Sequence, residues 1–234
     1  SEMCIRDRMP LLATLFIQAM VAMALLTLPV MAPVTAKDLG VPPAMVGLYV
    51  SITYVGAMFA SLTSGTTVSR FGPIRASQFG LLFCALGLCL CALPWLPLIG
   101  LGALLIGLGY GPITPASSEI LARTTPPSEM ALVFSIKQTG VPVGFMIAGA
   151  IVPSVMLMLN WQWTLVSVAL ACVLSALISQ GLRKDLDDLR QANLRFQVSS
   201  LTTPIRMVLS HRALATMAAC SFMFSLVQMS LTTY

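Results

Sequence analysis

Two ionisable side chains, Glu119 and Lys137, stand inside long apolar stretches of this 234-residue chain. A charge at the centre of a membrane helix costs about 2.5–3.5 kcal/mol on insertion scales, so each of the two needs a partner or water. One reading pairs them across adjacent helices as a structural ion pair with a possible coupling role. A second places Lys137 in a central cavity, where its ammonium binds an anionic group with Gln138 assisting. Both can hold together, since an anion can compete for the lysine, and a third reading lets Lys137 snorkel to the membrane edge. Gln18, Tyr49, Tyr54 and Tyr110 add polar groups that either line such a cavity or hydrogen-bond between helices. Gln18 and Tyr110 therefore join Lys137 and Gln138 as candidate substrate contacts.

Other chemistry is poorly supplied. The cysteines Cys84, Cys89 and Cys91 lack C-x-x-C spacing, and His211, the single histidine, is far along the chain. No metal, disulfide framework or cofactor is expected. The 15 methionines read as apolar packing, and His211 as a capping or interface residue. A membrane-embedded enzyme would need clustered His, Asp, Glu, Cys or Ser groups near one face, and no such cluster is visible.

The elements that must carry these residues follow from composition. Hydrophobic residues make up 57% of the chain and charged ones 9%, against about 25% charged in an average soluble domain; the mean hydropathy is +0.91. Residues 9–36, 39–69, 76–118, 138–182 and 213–234 contain no Asp, Glu, Lys or Arg. A spanning helix needs about 20 mostly apolar residues, so three of these stretches hold one helix each and two hold a pair. Seven spans result. A soluble enzyme, a nucleic-acid binder and a secreted disulfide scaffold are excluded; the lipid bilayer is the first partner.

Breakers set the boundaries. Residues 1–8, Ser-Glu-Met-Cys-Ile-Arg-Asp-Arg, resemble a non-native leader, and the end at Tyr234 reads as a cut within a longer protein. Residues 9–181 form a six-helix bundle, 182–210 a polar connector and 211–234 a seventh helix. The first helix runs from about Pro10 to Thr35 and the second over Ala44–Ser69. Ala76–Leu93 and Leu98–Ala122 form a hairpin about Pro94-Trp-Leu-Pro97. The fifth covers Met130–Met158, and the sixth follows Asn160-Trp-Gln-Trp163. Leucines at 182, 186, 189 and 194 give the connector a near-helical apolar spacing, read as a solvated linker or a surface helix.

Basic residues orient the chain, because cytoplasmic loops accumulate them. With the N-terminus inside, Arg70, Arg75, Arg123, Arg183, Lys184, Arg190, Arg195, Arg206 and Arg212 fall on the cytoplasmic side and only Lys37 outside. Trp95, Trp161 and Trp163 then lie at the outer interface. The net charge of +5 is thus a topology signal, and the location expected is the cytoplasmic (inner) membrane.

Three motifs carry a resemblance. The loop after helix two reads Gly65-Thr-Thr-Val-Ser69-Arg70-Phe-Gly72-Pro-Ile-Arg75. Gly65 suits close helix approach, and Gly72-Pro73 a tight turn. Helix four carries Gly107-Leu-Gly109-Tyr-Gly111-Pro112-Ile-Thr-Pro115; no strand precedes it, so its G-x-G is not a nucleotide loop. Helix five carries Lys137-Gln138-Thr-Gly140-Val-Pro142-Val-Gly144, where Gly140 and Gly144 offer a packing face and Pro142 bends the helix. Together these resemble the N-terminal half of a major facilitator superfamily transporter. That resemblance implies an all-α membrane protein with a six-helix bundle of 3+3 inverted repeats, a cytoplasmic connector and the first helix of a C-terminal half. Gly65, Arg70, Gly72 and Arg75 match the family's loop, while Ser69 replaces an Asp that helps latch the inward face; Ala103 replaces an Arg of helix four. Under the repeat, helices one and four correspond, with Pro29 and Pro33 matching Pro112 and Pro115, and helices two and five correspond, with Gly56 matching Gly140.

The function implied is secondary transport by alternating access of a small solute, leaning to an organic or inorganic anion through Lys137. A proton or counter-substrate would be the coupling partner, carried by Glu119 or by the missing C-terminal half. A channel or the permease subunit of an ATP-driven pump is the alternative.

Overall fold

The computed structural model describes residues 2–187 and 199–233, and all regular structure among them is helical. The helices are α1 (Glu2–Val30), α2 (Ala32–Leu39), α3 (Met45–Phe71), α4 (Pro73–Cys91), α5 (Leu96–Tyr110), α6 (Ile113–Thr124), α7 (Met130–Gln138), α8 (Gly140–Met158) and α9 (Trp161–Ile178). A tight 3-10 turn, Ser179–Leu182, leads from α9 into α10 (Arg183–Leu186). Six stretches are long and apolar enough to cross a membrane: span 1 (Met9–Val30), span 2 (Met45–Phe71), span 3 (Pro73–Cys91), span 4 (Leu96–Thr124), span 5 (Met130–Met158) and span 6 (Trp161–Leu182). The chain divides into two compact units, residues 1–193 and 194–234. The second contains α11 (Ser199–Ser210) and α12 (Arg212–Thr233). Leu189 and Leu194 of the proposed amphipathic spacing lie outside the described residues.

The helical path breaks at three places near a lost backbone donor, at the end of span 1 and within spans 4 and 5. Pro33 cannot donate to the carbonyl of Pro29, and the first helix stops at Val30 before restarting as α2. In span 4 the break falls at Gly111-Pro112. Pro115 frees the carbonyl of Gly111, which instead accepts from Ser61 Oγ of span 2 at 3.2 Å. Span 5 breaks at Thr139, upstream of Pro142: the proline leaves the Gln138 carbonyl without its partner, and the Thr139 amide tightens onto Ile136 O. α1 begins at Glu2, so the helix runs through residues 2–8 into span 1.

Spans 1 and 3 are the most buried and spans 2 and 5 the least. Ile17, Val21, Leu25, Leu81, Leu88 and Leu165 fill the centre. Small residues set the crossings. A Cβ at Gly56 of span 2 would lie 2.6 Å from the Leu104 carbonyl of span 4; one at Gly140 of span 5 would lie 3.2 Å from the Leu15 carbonyl of span 1. Span 2 thus crosses span 4, and span 5 crosses span 1, each with a glycine at the contact. Gly107 sits against the Thr53 carbonyl and Gly144 against Ala19. Gly65 is different: a Cβ there meets nothing within 4 Å, so the close approach expected of it is absent among the described residues.

The two ends of the bundle are tied by different chemistry. At the Trp-bearing end, Trp161 Nε1 donates to Asp38 Oδ2 at 2.7 Å, joining the first loop to the start of span 6, and Asn160 caps α9 through the Trp163 amide at 3.0 Å. The opposite end carries Arg70, Arg75, Arg123 and Arg183. Packing at Gly107 is directly testable. Gly107→Ala should destabilise the protein by about 1–3 kcal/mol through overpacking, whereas Gly65→Ala should be neutral or slightly stabilising from helix propensity. Melting of the two purified variants in detergent checks this; equal shifts would contradict the crossing described.

Candidate functional site

Lys137 ends the first segment of span 5 and is 2% exposed, the largest fully buried side chain of the bundle. Its Nζ donates to the Thr114 carbonyl at 3.1 Å and to Ser118 Oγ at 2.8 Å, both on α6 of span 4. The Phe134 ring lies beneath the ammonium, 5.8 Å from Nζ to its centroid, a weak cation–π contact. Thr114 O also accepts from Ser117 Oγ at 3.0 Å and Ser118 Oγ at 2.9 Å. Ser118 thus donates to the carbonyl and accepts from the lysine with the same oxygen. A local reason brings these atoms together: the break at Gly111-Pro112 restarts the helix, which places Thr114 in the first turn of α6.

The expected ion pair between Glu119 and Lys137 is not found among the described residues. Glu119 pairs with Arg123, one turn on along α6, and its side chain is 28% exposed. Neighbouring positions on a helix point about 100° apart, so Ser118 facing span 5 turns Glu119 away from it, toward the end of its own helix. An i,i+4 partner is already within reach there. Lys137 is therefore a buried cation whose described partners are all neutral. An ammonium has three N–H donors, and two are taken.

The other candidates divide. Gln18 of span 1 is 2% exposed, and its Oε1 is buried with no partner. Its Cβ lies 3.3 Å from where a side chain would begin at Gly140, three residues beyond Lys137. Gln18 therefore borders the break of span 5 and keeps an unused acceptor. Gln138 is exposed and does not join the lysine's partners. Tyr110 is partly buried against the core at the break of span 4, and Tyr49 is buried with its hydroxyl unpartnered. In the loop after span 2, Gly72 adopts φ +91° and turns the chain into α4, while Arg70 and Arg75 stack over Phe71 and Phe79. No group of three potential metal ligands occurs among the described residues. His211 lies between α11 and α12 of the second unit and is exposed.

Thr114 and Ser118 were not singled out from the sequence, although a signal existed. Ser118 lies six residues before the end of α6 and Lys137 seven after the start of α7, so a hairpin brings them to one depth. A cavity of about 160 Å³ lies elsewhere, near the first loop, lined by Leu28, Leu39, Val41, Tyr49 and Ile99 among others. No charged side chain lines it.

A hexuronate transporter of Bacillus subtilis (strain 168) is 23% identical over 187 residues, 74% of this chain and 42% of that protein. A crystal structure of the peptide transporter POT in complex with sulfate matches with a TM-score of 0.63 at 21% identity, over 90% of this chain and 45% of that one; at that identity the likeness is one of fold. The chain spans less than half the length of each. The sequence profile of the Major Facilitator Superfamily matches residues 11–234. Six helical spans and a family match along nearly the whole sequence make this chain a member of the Major Facilitator Superfamily.

Proposed function

We propose that the protein of which this chain forms the N-terminal half is a secondary transporter that works by alternating access and carries a small anion. The observation that carries the reading is Lys137: a buried ammonium held by one carbonyl and one hydroxyl, with a third N–H open and no carboxylate among its described partners. Neutral acceptors hold the lysine in place but leave its charge uncompensated, so an anion entering beside it gains a charge-assisted hydrogen bond in a site of low dielectric. A hexuronate transporter among the relatives favours a carboxylate-bearing organic solute. Gln18, with its unused oxygen, is the second contact in this proposal and would accept from a hydroxyl of the solute.

Glu119 is engaged with Arg123 near the end of its span, so the coupling step falls to exchange with a counter-anion or to a carrier group in the facing half. The basic loops orient the bundle with its N-terminus in the cytoplasm of a cell bounded by this inner membrane.

Uptake of a panel of radiolabelled organic acids, a hexuronate among them, by cells making the whole protein tests the site. Lys137→Ala at unchanged membrane abundance should lower uptake by about tenfold or more, the loss of one charged hydrogen bond, and Lys137→Arg should retain part of it. Normal uptake by Lys137→Leu would overturn the anion site. Orientation has its own check. A cysteine replacing Lys37 should react with an impermeant thiol reagent in intact cells, and one replacing Glu129 only after permeabilisation; the reverse pattern would invert the bundle.

A further inference from the structure

The loop between spans 2 and 3 turns at Gly72, which serves as the N-cap of α4 and has no side chain with which to cap it. No Asp or Glu occurs anywhere from residue 39 to 118. The cap comes from more than a hundred residues further along the chain. Asp187, just past α10, accepts from the Ile74 amide with Oδ1 at 2.8 Å and from the Arg75 amide with Oδ2 at 3.1 Å. Its side chain is 3% exposed, and Arg183 Nε approaches Oδ2 at 3.8 Å. The carboxylate fills the space above Gly72 so closely that a Cβ there would overlap its carboxyl group. Gly72 is thus required twice, by its φ of +91° and by the aspartate seated on it.

A second lacing runs beside the first. Gln78, 6% exposed, donates from Nε2 to the Ala176 carbonyl and to Gln180 Oε1, each at 2.9 Å. Its own Oε1 accepts from Arg75 Nη1 at 3.3 Å. The first turn and a half of span 3, the end of span 6 and the root of the connector therefore share one polar network.

We infer that Asp187 is the remote cap of span 3 and a fixed strap that binds the connector's root to the six-span bundle. Residue 187 belongs mechanically to that bundle, although it lies past the last span. A pull along the connector is delivered at once to the start of span 3 and the end of span 6, not to a loose tail. The charge of the aspartate suits a helix N-terminus, and an asparagine, which caps nearly as well, should hold the strap in part.

The test uses the whole protein in detergent, with two readouts: melting temperature and the rate of trypsin cleavage after Arg183, located by mass spectrometry. Asp187→Ala should lower the melting temperature by about 3 °C, the loss of a cap, and speed cleavage after Arg183 several-fold. Asp187→Asn, which keeps one accepting oxygen for the two amides, should fall between the parent and Asp187→Ala on both. Gly72→Ala should also destabilise, but Gly72→Ala combined with Asp187→Ala should lose less than the two shifts summed, because removing the carboxylate makes room for the new methyl. Cleavage and melting unchanged in Asp187→Ala would overturn the strap, as would strict additivity in the double variant. If the alanine variant does not accumulate, recovery of folded protein by Asp187→Asn supports capping, and failure of both overturns it.

Discussion

Lipid offers no hydrogen bond to a carbonyl that a proline has stranded, so a break in a membrane helix is tolerated where protein or a cavity receives the freed group. Much of this bundle follows from that constraint at one place. Pro115 strands the Gly111 carbonyl, and Ser61 of the neighbouring span answers it. The restarted helix then presents Thr114 O and the hydroxyls of Ser117 and Ser118 as a small polar cluster, and it is this cluster that Lys137 reaches. Break, hydroxyls and cation are a single arrangement. Removing the prolines would straighten the helix but also dissolve the surface that receives the lysine.

Holding such a cluster at fixed geometry requires a bundle that does not breathe around it. Gly56, Gly107, Gly140 and Gly144 let backbones touch where larger residues would hold them apart, and packing at that range is felt to a fraction of an ångström. The ends are closed by side chains: Trp161 on Asp38 at one, Asp187 and Gln78 at the other. Spans 2 and 5 are the least buried and form the bundle's most open faces.

What could be read from the sequence was whatever a local signal carries. Apolar runs, prolines and the distribution of arginines mark the six spans, the break at Pro112 and the turn at Gly72. Side-chain partners across helices were another matter, because they depend on how far each helix is rotated about its axis. Glu119 and Ser118 are adjacent, and a rotation of one residue decides which of them meets Lys137; composition is silent on that. Gly65 shows the converse error, a small residue whose neighbour does not exist among the described residues. Asp187 lay beyond reach for a third reason: its partners are backbone amides more than a hundred positions away, and amides have no letter in a sequence.

The position of the lysine's partners also bears on how the chain is made. Synthesis runs from the N-terminus, and Thr114 and Ser118 belong to the span that precedes Lys137. The lysine's two acceptors leave the ribosome before it does, in the arm of the hairpin that precedes its own. The ammonium can enter lipid as part of that hairpin and need never face hydrocarbon alone. With the order of the two arms exchanged, the same contacts would exist in the finished bundle, yet a bare cation would have to insert first and wait.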